Sequence, residues 1–173
     1  MQLYQTVFEV IDMRSFSNLW FWIALAVFWS TASHWVIGVP FDMVTRARKQ
    51  GGQAMADLEA VVAINTRRLL YILQVSGLWL IGLAFFLLTM LLALGFVYGI
   101  EFAQALFLIF LPMTAVSALT LRAASRIERD RPEGADLCRR LTLHRVGVQA
   151  IGMLAIFVTA MWGMWQNLQF GGI

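Results

Sequence analysis

Four long gaps between charged residues constrain this chain more than any other feature of its sequence. Leu19 to Val39 contains no Asp, Glu, Lys or Arg, a run of about 21 residues or roughly 31 Å of α-helix. Arg68 and Glu101 bracket a second run, Leu69 to Ile100, and Phe102 to Leu121 and Val146 to Trp165 are the third and fourth. Inside hydrocarbon every backbone N–H and C=O must find a partner within the protein, so only helices and closed barrels cross a bilayer. The runs show no strict alternation of apolar and polar residues, which argues against a barrel. The expected fold is therefore all-α: one integral membrane domain over residues 1–173, a four-helix bundle with spans at about 19–39, 69–100, 102–121 and 146–165. The second run is longer than a bilayer needs and should tilt or protrude.

Composition agrees. The chain is 60% apolar and 13% charged over 173 residues, whereas soluble domains carry about 25% charge and about 45–50% apolar residues. A soluble protein this apolar would expose patches that aggregate.

The distribution of basic residues sets the orientation. Of 13 Lys and Arg, only Arg14 precedes the first span. Arg46, Arg48, Lys49, Arg67 and Arg68 lie in the connection 40–68. Arg122, Arg126, Arg129, Arg131, Arg139, Arg140 and Arg145 lie in the connection 122–145. Positive loops stay in the cytoplasm, so both connections are expected there, with the two termini in the periplasm of a bacterium and the chain in its inner membrane. No cleavable signal peptide is expected, because residues 1–17 lack a basic start followed by an apolar run. Trp20, Trp22, Tyr98, Trp162 and Trp165 fall at the outer interface and Trp35 and Tyr71 at the inner one, where amphipathic rings are favoured.

Residues 1–14 read as an N-terminal interfacial helix, with Leu3, Tyr4, Val7, Phe8 and Ile11 on one side. Pro40 kinks or restarts the first helix, and Gly51 and Gly52 mark a turn. Met55, Leu58, Val61 and Val62 then form an apolar stripe leading into the second span. In the second connection, residues 125–131 extend the third helix and Arg131-Pro-Glu-Gly134 turns. Residues 135–145 extend the fourth, with Leu137, Leu141 and His144 on one side. Two helical extensions are thus expected to stand in the cytoplasm and pack on each other. Arg46, Arg48, Lys49, Arg67, Arg68, Arg122, Arg126, Arg139, Arg140 and Arg145 are candidate contacts to anionic lipid headgroups. Nucleic acid is not an expected partner, because Asp57, Glu59, Glu128, Asp130, Glu133 and Asp136 are interleaved among them. Ala56-Asp-Leu58 and Ala135-Asp-Leu137 open the two return helices, and Gln74/Gly77 and Gln149/Gly152 come after them, a faint sign of a duplicated hairpin.

His34, Gln74, Ser117 and Gln149 each lie four to six residues from the basic end of their span. At 1.5 Å per residue they share a slab roughly 6–9 Å below the inner surface. Such a polar layer serves either as interhelical glue or as a small site in which His34 titrates. The specific expectation is a hydrogen bond from His34 to Gln74 or Gln149. His34 and His144 also form a candidate pair of axial ligands for a b-type haem, on helices that would be neighbours in an up–down bundle. No other cofactor and no metal site is expected. Cys138 is the only cysteine and cannot hold an iron–sulfur cluster or zinc alone. Glu101 suits a helix N-terminus, and Gly95-Phe-Val-Tyr-Gly99 is a GxxxG motif.

No nucleophile–base set, zinc-protease motif, P-loop or intramembrane carboxylate pair is present, so no enzyme is expected. The stretches Ile11-Asp-Met-Arg-Ser-Phe-Ser-Asn-Leu-Trp-Phe-Trp22, Ala32-Ser-His-Trp-Val-Ile-Gly-Val-Pro40 and Gln149-Ala-Ile-Gly-Met153 resemble a bacterial membrane-protein family labelled "component of SufBCD complex", over most of the chain. The resemblance implies association with the machinery that assembles iron–sulfur clusters and assigns no residue a role. The function expected is a non-catalytic accessory or scaffold subunit of an inner-membrane complex, partnered by lipid and by other membrane subunits or further copies of itself. The alternatives are a haem- or ligand-binding electron-transfer subunit and a small transporter. The haem alternative requires a Soret band in the absorption spectrum of the purified protein, and a spectrum without one removes it.

Overall fold

The computed structural model describes Phe16 and residues 18–170; the interfacial helix expected over 1–14 lies outside the described residues. Among the described residues, five α-helices and one short hairpin run in order: α1 (Leu19–His34), β1 (Trp35–Val36), β2 (Val39–Pro40), α2 (Phe41–Gln50), α3 (Gly52–Leu92), α4 (Glu101–Asp130) and α5 (Gly134–Phe170). A single π-helical stretch, Ala93–Val97, continues α3. With that continuation, α3, α4 and α5 are three helices long and apolar enough to cross a membrane.

The first charge-free run is not one helix. Asn18 caps α1 by accepting the Trp20 N–H at 3.0 Å, but α1 has only 16 residues and stops at His34, about 24 Å at 1.5 Å per residue. Residues 35–40 instead form an antiparallel hairpin, Trp35 opposite Pro40 and Val36 opposite Val39. Its turn places Ile37 (φ 52°) and Gly38 (φ 73°) in succession in the left-handed region, the pattern of a two-residue hairpin turn. The physical reason lies in the residues: Val36, Ile37 and Val39 are β-branched, and Pro40 pushes its predecessor away from helical geometry. A left-handed Ile costs about 1–2 kcal/mol, offset by near-complete burial of its side chain. Asn65 of α3 fixes the turn by donating to the Gly38 carbonyl at 3.1 Å.

Pro40 does restart the helix, and the segment after it is the separate α2 rather than a loop. Val44 and Ala47 bury its inner face. Gly51 (φ 61°) ends it, returning its N–H to the Ala47 carbonyl at 2.9 Å. The second turn is as expected: Arg131 caps α4 in the left-handed region, Pro132 cannot extend the helix, and α5 starts at Gly134. Glu59 of α3 accepts the Gly134 N–H at 2.7 Å, placing a carboxylate on the N-terminus of α5. The long second run belongs to α3, which begins 17 residues before Leu69 and so extends roughly 25 Å beyond that run.

At the basic end the two extensions pack on each other. Leu58 and Val62 of α3, Ile127 of α4, and Leu137, Cys138 and Leu141 of α5 close around Val44 and Ala47 of α2 and around Val36, Ile37 and Val39 of the hairpin. A second cluster joins α1 to α5 and α4 through Leu25, Trp29, Val116, Val148 and Ala155. The helices stand in the spatial order α1, α5, α4, α3. The most apolar stretch of α3 is only 11% buried, against 22% for α4 and 28% for α5, and Leu78 (85% exposed) and Trp79 (82%) project from it. Leu58 and Leu137, the matching leucines of the two Ala-Asp-Leu triplets, enter the same cluster.

Leu141→Ala should lower stability by about 2–5 kcal/mol in denaturant unfolding in detergent. Leu78→Ala, at an exposed position, should change it by no more than about 0.5 kcal/mol.

Candidate functional site

The four residues of the expected polar layer do not converge. His34 and Gln74 are exposed, and Gln149 is half-buried. The exposed Ser117 donates its hydroxyl to the Met113 carbonyl of its own helix at 2.9 Å. Among the described residues no hydrogen bond joins His34 to Gln74 or Gln149. The cause is helical phase: a common depth in sequence does not fix a common face, and α3 turns Gln74 away from the bundle.

The two histidines sit in different surroundings. His144 is buried, with Nε2 3.1 Å from the Thr120 hydroxyl oxygen. That hydroxyl donates to the Val116 carbonyl at 2.9 Å, so Thr120 accepts and His144 carries its proton on Nε2. Its Nδ1 is buried with no partner. His34, by contrast, lines an open recess that His144 does not reach. Burial holds the His144 pKa below its ordinary 6.5.

The polar centre that the fold does assemble lies at the opposite end. Gln104 of α4 is 4% exposed. Its Nε2 donates to the Gly95 carbonyl at 2.8 Å, and its Oε1 accepts from Trp162 Nε1 at 3.0 Å and Gln166 Nε2 at 2.6 Å. The lack of a side chain at Gly95 permits this contact: a Cβ there would lie 2.9 Å from the Gln104 backbone nitrogen. Within the GxxxG motif, Gly95 thus serves close packing, while Gly99 (φ 73°) sits in open space and serves the turn. Beside this network Glu101 accepts the Phe16 N–H at 2.6 Å, and Trp22 Nε1 donates to the Phe16 carbonyl at 3.1 Å. The signal for Gln104 was present in the sequence: it is the sole polar side chain between Glu101 and Thr114, and a lone carboxamide in an apolar run needs partners across helices.

The arginines divide into paired and unpaired. Arg140 bonds Asp130 at 2.7 Å and Asp136 at 3.1 Å, Arg129 bonds Asp130 at 3.0 Å, and Arg46 stands 3.9 Å from Asp42. Arg140 and Arg129 hold the Asp130 carboxyl below its ordinary range. Arg48, Lys49, Arg67, Arg68, Arg122, Arg126 and Arg139 are exposed. Arg145 differs from all of them. Its guanidinium lies 3.9 Å from the centre of the Phe41 ring, a cation–π contact, and its Nε is buried without a partner. It lines a recess of about 320 Å³ together with Ser30, Thr31, Ser33, His34 and Trp35.

Cys138 is buried, and burial pushes its thiol pKa up. Among the described residues no cluster of three or more His, Cys, Asp or Glu is placed to hold a metal ion. In comparisons with known proteins the chain matches no family model, no curated protein and no solved structure.

Gln104→Leu should cost about 1–3 kcal/mol, because it strands the buried Gln166 donor, the half-buried Trp162 donor and the Gly95 carbonyl. Thermal unfolding in detergent reads it, with Gln74→Leu as the neutral comparison. His144 supplies a pH signature. Its folded pKa is depressed, so its contribution is complete above pH 6.5 and is lost as pH falls from there through the folded value. The slope of stability against pH below 6.5 should therefore flatten in His144→Gln. Cys138 should resist maleimide labelling in the folded protein and react on denaturation.

Proposed function

We propose that this protein is a non-catalytic accessory or scaffold subunit of a bacterial inner-membrane assembly. It crosses the bilayer four times, with both termini in the periplasm and the arginine-rich end in the cytoplasm. The observation that carries the reading is how the fold uses its buried polar groups. Gln104, Gln166, Trp162 and Thr120 hold helices to one another, and no nucleophile, base and orienting group converge among the described residues.

The fourth crossing is supported by the two ends of α1. Phe16, just before it, is tied to Glu101 at the N-terminus of α4. Val36 and Val39, just after it, sit in the cluster with Leu58 and Leu137 at the basic end. Helix α1 therefore travels the same distance as the paired parts of α4 and α5, and the extended hairpin makes up for its shortness. The open flank of α3, with Trp79 and Leu78 outermost, is the surface offered to a neighbouring subunit. The resemblance to the "component of SufBCD complex" family suggests that the assembly adjoins iron–sulfur cluster biogenesis. The buried and solitary Cys138 fits a role that carries no cluster.

Gentle solubilisation followed by mass spectrometry of co-purifying proteins tests the role; a stable partner is expected, and a lone monomer would count against it. A C-terminal alkaline phosphatase fusion tests the topology and should be active. An inactive fusion would overturn the four-crossing arrangement.

A further inference from the structure

Helix α1 presents one continuous exposed face that changes character along its length. Trp20, Ile23, Val27 and then Ser30, Thr31 and His34 recur at helical spacing, and all are exposed. The opposite face, through Leu25 and Trp29, is buried on its neighbours, with Trp29 lying over Gly152 of α5. The exposed face is thus apolar for most of its length and turns polar within the last two turns before the basic end. There Arg145 arrives from α5 and forms one wall of the open recess of about 320 Å³.

The chemistry of that recess is one-sided. Its lining contains an arginine, a histidine and three hydroxyl residues, and no carboxylate. Ser33 donates its hydroxyl to the Ser30 carbonyl at 2.9 Å. Among the described residues, nothing engages the hydroxyls of Ser30 and Thr31, and no carboxylate forms an ion pair with Arg145. Phe41 holds one face of the guanidinium and so keeps this arginine in place without neutralising it, unlike Arg140. The partial negative charge at the C-terminus of α1 weakly opposes an anion here. A charge-assisted contact to the guanidinium exceeds that. Trp35, 51% exposed at the rim, is the kind of residue that sits at headgroup depth.

We infer that this recess is a binding site for the phosphate of an anionic phospholipid, held by Arg145 with His34, Ser30 and Thr31 while the acyl chains lie along Val27 and Ile23. The apolar half of the face favours a lipid over free phosphate, because a soluble anion would leave that stripe without a role in recognition. The inference rests on the proposed topology, which places this end among the anionic headgroups of the inner leaflet.

The test is native mass spectrometry of the intact, delipidated protein in detergent, titrated with phosphatidylglycerol, with phosphatidylcholine, and with inorganic phosphate alone. One phosphatidylglycerol should be retained in preference to phosphatidylcholine. Arg145→Gln should weaken that retention roughly tenfold or more, and Arg131→Gln, which removes an exposed charge outside the recess, should leave it unchanged. Because Arg145 also supports Phe41, His34→Gln and Thr31→Val, at exposed positions, provide a second measure and should each weaken retention while preserving the unfolding temperature. Equal retention of the two lipids, or equal loss in Arg131→Gln, would overturn the site. Inorganic phosphate binding with the same dependence on Arg145 would overturn the lipid assignment. An active C-terminal phosphatase fusion alongside failed retention would locate the error in the site and not in the topology.

Discussion

Burial of apolar side chains at the arginine-rich end supplies the force on which the rest of the arrangement depends. Between helices surrounded by lipid there is no hydrophobic drive to associate, since acyl chains are as apolar as leucine. At the arginine-rich end the helices extend past their charge-free stretches, and burial there removes apolar surface from water. Leu58, Val62, Leu137 and Leu141 are almost wholly enclosed. With Val44, Ala47 and the hairpin residues Val36, Ile37 and Val39, they fasten α2, α3, α4 and α5 into one small soluble-like core. The exposed flank of α3 shows what happens without it: beyond that core, little of the helix is covered.

The opposite end is held by different means. Gln104 satisfies both ends of its carboxamide across three segments, and Glu101 anchors the start of α1 through Phe16. Between the two ends the helices meet by shape. Gly152 admits the Trp29 ring, Gly147 admits Leu119, and Gly163 admits Phe16 and Trp22. Small residues that allow close approach are how apolar helices associate when burial contributes nothing. The buried polar atoms left unpaired among the described residues are Trp29 Nε1, Thr66 Oγ1, His144 Nδ1 and Arg145 Nε. In sequence all four flank the boundary where spans meet the basic end, beside Ser30, Arg67 and the α5 extension. Unused polar capacity therefore concentrates at the level of the recess, and the Gln104 end is saturated.

Much of the fold could be read from the chain. The turn at Arg131-Pro-Glu-Gly134, the apolar stripe of Leu58 and Val62, and the inward side of Leu137, Leu141 and His144 all come from periodicity and local turn chemistry. The candidate site was far less legible. His34 and Arg145 each stand out in the sequence, but in different roles, one in a polar layer and the other among headgroup contacts, and nothing in their spacing joins residues so far apart in the chain. Gln104 could have been identified from its isolation in an apolar run, whereas its partners Gln166 and Trp162 lie on another helix.

The sequence alone determined which stretches can lie in hydrocarbon and which cannot, because transfer of charge and of unpaired backbone depends on composition and length. It also determined the clustering of basic residues at one end. The tertiary structure decided where α1 stops, because the choice between continuing the helix and turning at Ile37-Gly38 is settled by Asn65 and by a core that receives Val36, Ile37 and Val39. It also decided which polar groups meet. Residues at equal depth on different helices face each other only if the helices are rotated to suit, and that rotation is set by packing around glycines and around the core at the basic end.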